Sequence, residues 1–316
     1  MEIKNVIFMG TPQFGVPTLE LLSKTKYKPI LCITQPDRPK GRKQKLSSPE
    51  IKITAEKLEI PIIQPENVND IETIKLLKKI EPDIIITVAY GGYLKKEIRK
   101  LSKFGCINLH PSLLPKYRGS APINYTLLNG DKVGGNTIFR IVAKMDAGPI
   151  LSQNKTVIGI NENYTELYEK LSKAGAKSIV KLLENLELNK ILEKKQDENK
   201  VSFSNKINNS DLIINWVNPA VKINNQIRAF AEKPATFTYF REKKLKIIEA
   251  EVLEEKSEKK IGLIIKVIKN RGIVVSTADF NLLIKRLQPA GKSIMSAFAF
   301  SLGAKFQKNE CFQNGE

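Results

Sequence analysis

The chain holds one histidine among 316 residues. That residue, His110, follows Asn108 by two positions in Cys106-Ile107-Asn108-Leu109-His110-Pro111-Ser112-Leu113-Leu114-Pro115. Imidazole is the side chain best suited to moving a proton near neutral pH, so candidates for that task are few. Alternate residues of an extended strand share a face. An amide donor and an imidazole therefore project together from a strand end, beside a proline-bounded loop. Such a pair suits acyl transfer, one group binding an oxygen that gains charge and the other handling a proton. Taken alone, Asn-x-His fits a capping or hydrogen-bonded histidine at a strand end equally well.

The elements that carry these residues are legible as a pattern. Residues 1–160 alternate short apolar runs with helical periodicity, which predicts a mostly parallel sheet covered by helices on both faces. Strands are expected at 6–9, 29–34, 60–63, 83–89 and 105–109, with helices over 14–23, 51–58 and 70–80. Asp83-Ile84-Ile85-Ile86-Thr87-Val88-Ala89 is almost continuously apolar, as at the centre of such a sheet. His110 then falls at the carboxyl end of a strand, where ligand sites of open α/β sheets lie. Gly10-Thr11-Pro12-Gln13-Phe14-Gly15 is neither a dinucleotide fingerprint nor a Lys-bearing phosphate loop, which argues against NAD and ATP.

A long amphipathic helix is expected over 164–188, and the polar stretch 190–209 reads as a linker between a first domain, 1–189, and a second, 210–316. Short strands at 245–252, 262–268, 272–277 and 281–287 suit a small antiparallel barrel of oligonucleotide-binding type. The charged run 254–260 reads as a solvated hairpin loop.

Fifty-two Lys and Arg against 33 Asp and Glu give a net charge of +19. That excess favours a polyanionic partner. It is spread along the chain, +10 in residues 1–189 and +9 in 190–316, so a lysine-rich proteome explains it as well. No run reaches the length of a membrane span, and Met1-Glu2-Ile3-Lys4-Asn5 opens a strand instead of a signal peptide. Cys32, Cys106 and Cys311 are widely spaced, without a Cys-x-x-Cys pair. No metal site is expected from them, and a cytoplasmic location is.

Further segments turn the strand-end histidine into a family resemblance. A basic loop, Thr34-Gln35-Pro36-Asp37-Arg38-Pro39-Lys40-Gly41-Arg42-Lys43, leaves the second strand. Lys116-Tyr117-Arg118-Gly119-Ser120-Ala121-Pro122 continues past the histidine loop, and Lys144-Met145-Asp146-Ala147-Gly148-Pro149 follows a later strand. With Val88-Ala89-Tyr90-Gly91 and the distal Leu287-Gln288-Pro289-Ala290-Gly291-Lys292, the chain closely resembles the methionyl-tRNA formyltransferases, from the first strand to about Ser296.

The resemblance implies an enzyme that moves a formyl group from 10-formyltetrahydrofolate to the α-amine of initiator methionyl-tRNA. It implies a Rossmann-like formyltransferase domain followed by a barrel that carries tRNA. Asn108, His110 and Asp146 match the family's catalytic trio. Asn108 would donate to the formyl oxygen, and Asp146 would orient the imidazole and favour its charged form. For His110 two roles stay open, proton acceptor for the amine or charged partner of the oxyanion. Ser112, Leu113, Leu114 and Pro115 match the segment that holds folate largely through backbone groups, although Leu113 and Leu114 fit core packing too. Tyr90 and Gly91 match the loop near the pterin; Gly92-Tyr93-Leu94 departs from the family's usual aliphatic residues there. Arg38, Arg42, Lys43 and Lys45 match a mobile loop that reaches the acceptor stem, with Arg42 nearest the tRNA end, and Lys206 matches another tRNA contact. A monomer is expected. An amino-sugar or ribonucleotide formyltransferase would share the trio but would not need the basic loop and barrel.

Overall fold

The computed structural model describes residues 2–41, 44–257 and 259–314. Two compact units emerge. One comprises Met1–Pro122, Val133–Val157 and Tyr168–Ser204; the other comprises Ile123–Lys132, Ile158–Leu167 and Asn205–Glu316. Two short excursions, 123–132 and 158–167, which chain order alone assigns to the first domain, thus cluster with the second unit.

Up to residue 204 the chain forms β1 (Val6–Gly10), α1 (Val16–Ser23), β2 (Leu31–Ile33), β3 (Arg38–Lys40), β4 (Lys45–Ser47) and α2 (Glu50–Lys57). It continues with β5 (Ile62–Ile63), α3 (Ile71–Ile80), β6 (Ile84–Val88), α4 (Lys96–Arg99), β7 (Cys106–His110) and β8 (Arg118–Gly119). Then come α5 (Pro122–Leu128), β9 (Val133–Arg140), β10 (Ile150–Val157), α6 (Tyr164–Glu187) and β11 (Phe203–Ser204). The central sheet has the order β10-β9-β7-β6-β1-β2-β5. It is parallel from β7 to β5, and β9 and β10 add antiparallel pairs at the other edge.

Local chemistry explains the boundaries. Asp70 caps α3 by accepting the Thr73 amide, and Glu81 in a left-handed conformation ends it. All five residues of β6 are buried, as a central parallel strand requires.

The sheet's two faces follow the period of two. Ile7, Met9, Ile33, Ile85 and Cys106 form one apolar layer with Leu77 of α3 and Ile98 of α4. On the opposite face Leu109 lies against Gly175 of α6, where an added Cβ would stand 2.6 Å from the leucine. Glycine there lets helix and sheet approach. With Leu109 turned toward α6, Asn108 and His110 turn the other way.

The expected basic loop is a short hairpin, β3 paired antiparallel with β4. The polar stretch 190–209 departs from the linker reading. Lys194 bridges Ile150, Gln196 is buried, and β11 pairs in parallel with β8, so the chain through Ser204 is docked within the first unit. Most of the stretch's polar side chains face solvent, as composition suggests, but Gln196 and Ser204 are buried and hydrogen-bonded.

From residue 205 the second unit adds α7 (Ala220–Ala229), β12 (Thr236–Phe240), β13 (Lys243–Lys256), β14 (Ile264–Ile268), β15 (Gly272–Val275), β16 (Phe280–Pro289), β17 (Met295–Ser296) and α8 (Ala297–Ala304). The strands pair antiparallel in the order β12-β13-β16-β15-β14, with β17 on β16. The C-terminal segment bridges Tyr239 through Gln313 and Leu263 through Cys311, which joins the sheet's two edges. Inside, Trp216 stacks on Phe312 at 5.8 Å between ring centres and donates Nε1–H to Thr238. Ile223, Ile227, Phe240, Leu245, Ile247 and Ile284 fill the remainder. Strand β12 and helices α7 and α8 add to the strands expected from the sequence, and β13 runs three residues, Glu254 to Lys256, into the charged run expected as a hairpin loop.

Candidate active site

The site is built at the carboxyl end of β7. Registration places Thr87 of β6 beside Asn108, and Thr137 of β9 beside His110. The Thr87 hydroxyl lies 2.6 Å from Asn108 Oδ1 and donates to it. The amide is thereby oriented with Nδ2 turned away, and no described residue accepts from that nitrogen. Thr87 is the one polar residue in an apolar strand, the signal that could have marked it.

His110 is 5% exposed. Its Nε2 stands 2.9 Å from the Tyr117 carbonyl, an acceptor only, so Nε2 carries the proton and Nδ1 the lone pair. Nδ1 faces Asp146 Oδ2 at 3.8 Å, and the carboxylate acts on the ring there by charge, not by a hydrogen bond. The orientation expected from Asp146 thus comes from Tyr117, with Phe139 edge-on at 6.4 Å. Burial pushes the imidazole's pKa below its ordinary 6.5, while the Asp146 charge and the Tyr117 carbonyl oppose that shift.

Asp146 is held elsewhere. Its Oδ2 accepts the Gly119 amide at 2.8 Å, and its own backbone adopts φ 51°, a left-handed conformation. Gly119 has φ 124° and lies so near Ser204 that an added Cβ would be 2.4 Å from the serine carbonyl oxygen. No other residue fits there.

The segment after His110 is tied down from β9 and β10. Thr137 donates to the Ser112 carbonyl at 2.7 Å and accepts the Leu114 amide at 3.0 Å. Gln153 donates to the Leu114 carbonyl at 2.8 Å, and the Ser112 hydroxyl donates to the Lys116 carbonyl at 2.6 Å. Leu114 packs with Phe139 and Ile150, so core packing holds for its side chain. Leu113 is half-buried beside Gly135, and Pro115 follows. At the end of β6, the Tyr90 ring is buried in the sheet's apolar layer, and burial raises its phenol to about 12. Gly91, with φ 83°, is exposed and has open space where a Cβ would be. That stretch offers backbone, not the tyrosine ring.

The basic residues are arranged otherwise. Arg38 pairs with Glu66 at 2.5 Å, both exposed, and Lys45 is exposed on β4. Arg42 and Lys43 lie outside the described residues. Lys206 is exposed in the second unit. Among the described residues, no cluster of His, Cys, Asp or Glu could hold a metal, and no helix is long and apolar enough to cross a membrane.

Known proteins resemble this chain over nearly its whole length. The formyl transferase family model matches residues 4–183, and the formyl transferase C-terminal domain model matches 206–305. The chain is 42% identical to the methionyl-tRNA formyltransferase of Thermodesulfovibrio yellowstonii, over 96% of this chain and 97% of that one. It belongs to the methionyl-tRNA formyltransferase family. The Bacillus subtilis methionyl-tRNA formyltransferase is 38% identical, with 96% of each chain covered. A crystal structure of a sugar 3N-formyl transferase with dTDP and 5-N-formyl-THF shares the fold at a TM-score of 0.68 and 23% identity, covering 93% of this chain and all of that one. The fold is the formyltransferase fold in both units.

Proposed function

We infer that this chain formylates the α-amine of initiator methionyl-tRNA, giving N-formylmethionyl-tRNA for translation initiation. The observation that carries the reading is the Asn108 amide, oriented by Thr87 with its N–H unclaimed, beside a neutral buried imidazole. The donor set suits a formyl oxygen next to an amine that must lose a proton. The cosubstrate, 10-formyltetrahydrofolate, supplies the formyl group on N10.

Asn108 donates Nδ2–H to the oxygen that gains charge as the amine attacks, an interaction that strengthens along the reaction. His110, neutral at physiological pH with Nδ1 unprotonated, takes the amine's proton; this favours the base role over the charged-oxyanion role. Asp146, 3.8 Å from that nitrogen, stabilises the imidazolium once formed. As the tetrahedral intermediate collapses, the bond from the formyl carbon to N10 breaks, and N10 takes the proton back from His110 and leaves as tetrahydrofolate. The tied loop from Ser112 to Pro115, together with Tyr90 and Gly91, presents the folate wall. The exposed cations Arg38 and Lys45, with Arg42, Lys43 and Lys206, meet tRNA phosphates, and the barrel of the second unit carries the tRNA body. The enzyme acts as a monomer in the cytoplasm, where its tRNA substrate is found.

Purified chain supplied with 10-formyltetrahydrofolate should formylate charged initiator tRNA far faster than an amino-sugar nucleotide. Preference for the sugar would favour the rival that needs no basic hairpin.

A further inference from the structure

Gln196 sits in the stretch whose composition suggested a linker, yet it is 5% exposed and all four of its polar contacts are made inside the first unit. Nε2 donates to the carbonyls of Asp146 and Gly148, each at 2.8 Å. Oε1 accepts from Arg118 Nε at 3.0 Å and Nη2 at 2.8 Å. Reversing the amide would set N–H against guanidinium and oxygen against two carbonyls, so its orientation is fixed by its partners. Arg118 is 1% exposed and is completed by Glu198, which also binds Lys144 at 2.7 Å.

The same segment grips the other half of the site. Ser202 Oγ accepts the Tyr117 amide at 3.0 Å, and Ser204 Oγ donates to the Tyr117 carbonyl at 3.2 Å, the carbonyl that orients His110. Two short runs of chain must therefore be held together, one bearing the imidazole's acceptor and one bearing Asp146. The second has Asp146 in a left-handed conformation, which persists only where its surroundings over-determine it. The carbonyls gripped by Gln196 are Asp146's own and the one two residues on.

We propose that Gln196 is a positioning residue for formyl transfer, whose amide locks the Asp146 loop to Arg118 and so sets the separation between Asp146 and His110. This rests on the formyltransferase reading above. A residue that shapes the reacting geometry without touching substrate should affect kcat and leave KM alone. Misplacement by about 1 Å can cost about 100-fold.

Gln196→Glu separates this role from folding. It keeps both acceptor contacts to Arg118 and replaces the two donors with an oxygen facing two carbonyls. Glu198→Gln is the control, since it weakens the Glu198 side of Arg118 and the exposed pair with Lys144 while leaving Gln196's bonds to the Asp146 and Gly148 carbonyls in place. In steady-state formylation of methionyl-tRNA, Gln196→Glu should lower kcat about 10- to 100-fold, with KM for tRNA and folate within about threefold. Glu198→Gln should stay within about threefold in both. Active-site titration and thermal unfolding report the folded fraction, and Gln196→Met, similar in volume and without hydrogen bonds, is measured in parallel. The proposal is overturned if Gln196→Glu retains wild-type kcat, if its loss equals the loss of folded protein, or if Glu198→Gln matches it. Failure of both Gln196 variants to fold would assign the residue to folding and overturn it as well. Absence of formyl transfer by the wild-type chain would instead strike the functional reading itself.

Discussion

Two regions of the first unit put their polar groups to opposite uses. At the end of β7, Asn108, His110, Tyr117, Asp146 and Gln196 are held by buried or part-buried hydrogen bonds. In the hairpin of β3 and β4, Arg38 and Lys45 are exposed, and Arg38's ion pair with Glu66 joins two exposed side chains. An exposed pair of this kind contributes roughly 0–1 kcal/mol and is screened by salt. Chemistry at one carbon needs sub-ångström placement, and recognition of a phosphate chain needs charge density that can adapt. One region is determined by satisfied geometry and the other by electrostatics.

The contrast breaks first at the imidazole. His110→Ala should reduce formylation about 10²–10⁴-fold, the usual contribution of a positioned proton-transfer group. Asn108→Ala should cost on the order of 10²–10³ in single-turnover rate, with folate affinity nearly unchanged. Retention of a tenth of wild-type rate by the His110 variant would remove it from the mechanism. A large affinity loss at unchanged single-turnover rate would make Asn108 a binding residue.

Next comes the charge beside the ring. His110's pKa lies below 6.5, so the neutral base predominates at pH 7 and activity falls as pH drops through that lower value. Asp146 raises the pKa against burial. Asp146→Asn should therefore move the acid limb of kcat/KM to lower pH. It should also cost about 10-fold or more in kcat, because the imidazolium loses its counter-charge. A limb that moves to higher pH would contradict the geometry in which Nδ1 faces the carboxylate.

Much of this was legible because strand period and motif spacing are local properties. Asn108 and His110 share a face for the reason any i, i+2 pair in a strand does, and β6 announced itself by its apolar run. What stayed hidden depends on partners distant in the chain. Thr87 matters because register sets it beside Asn108, and Gln196 because residues 118 and 146 come to it. Polarity alone reads Gln196, Ser202 and Ser204 as solvent-facing, since sequence gives no account of which polar groups find buried partners. The barrel's four main strands were visible by alternation. The closing bridges at Tyr239 and Leu263 were not, since they join residues 74 and 48 positions apart.

The smallest effect is expected in the hairpin, and it sharpens the comparison most directly. Lys45 is exposed on β4, paired in register with Lys40, in a segment where adaptable charge is the argument. A lysine meeting one phosphate contributes by releasing counterions, so its loss lowers affinity uniformly across tRNA sequences and flattens the salt dependence by about one unit of slope. Lys45→Ala should weaken tRNA binding by less than about tenfold at moderate salt, with progressively smaller loss as salt rises. Single-turnover rate at saturating tRNA should match wild type, because the strand-end groups are untouched. A rate loss that saturation cannot restore would mean that the hairpin positions the acceptor end as strictly as β7 positions its imidazole, and the division between the two regions would fall. An unchanged salt slope would remove Lys45 from the tRNA surface.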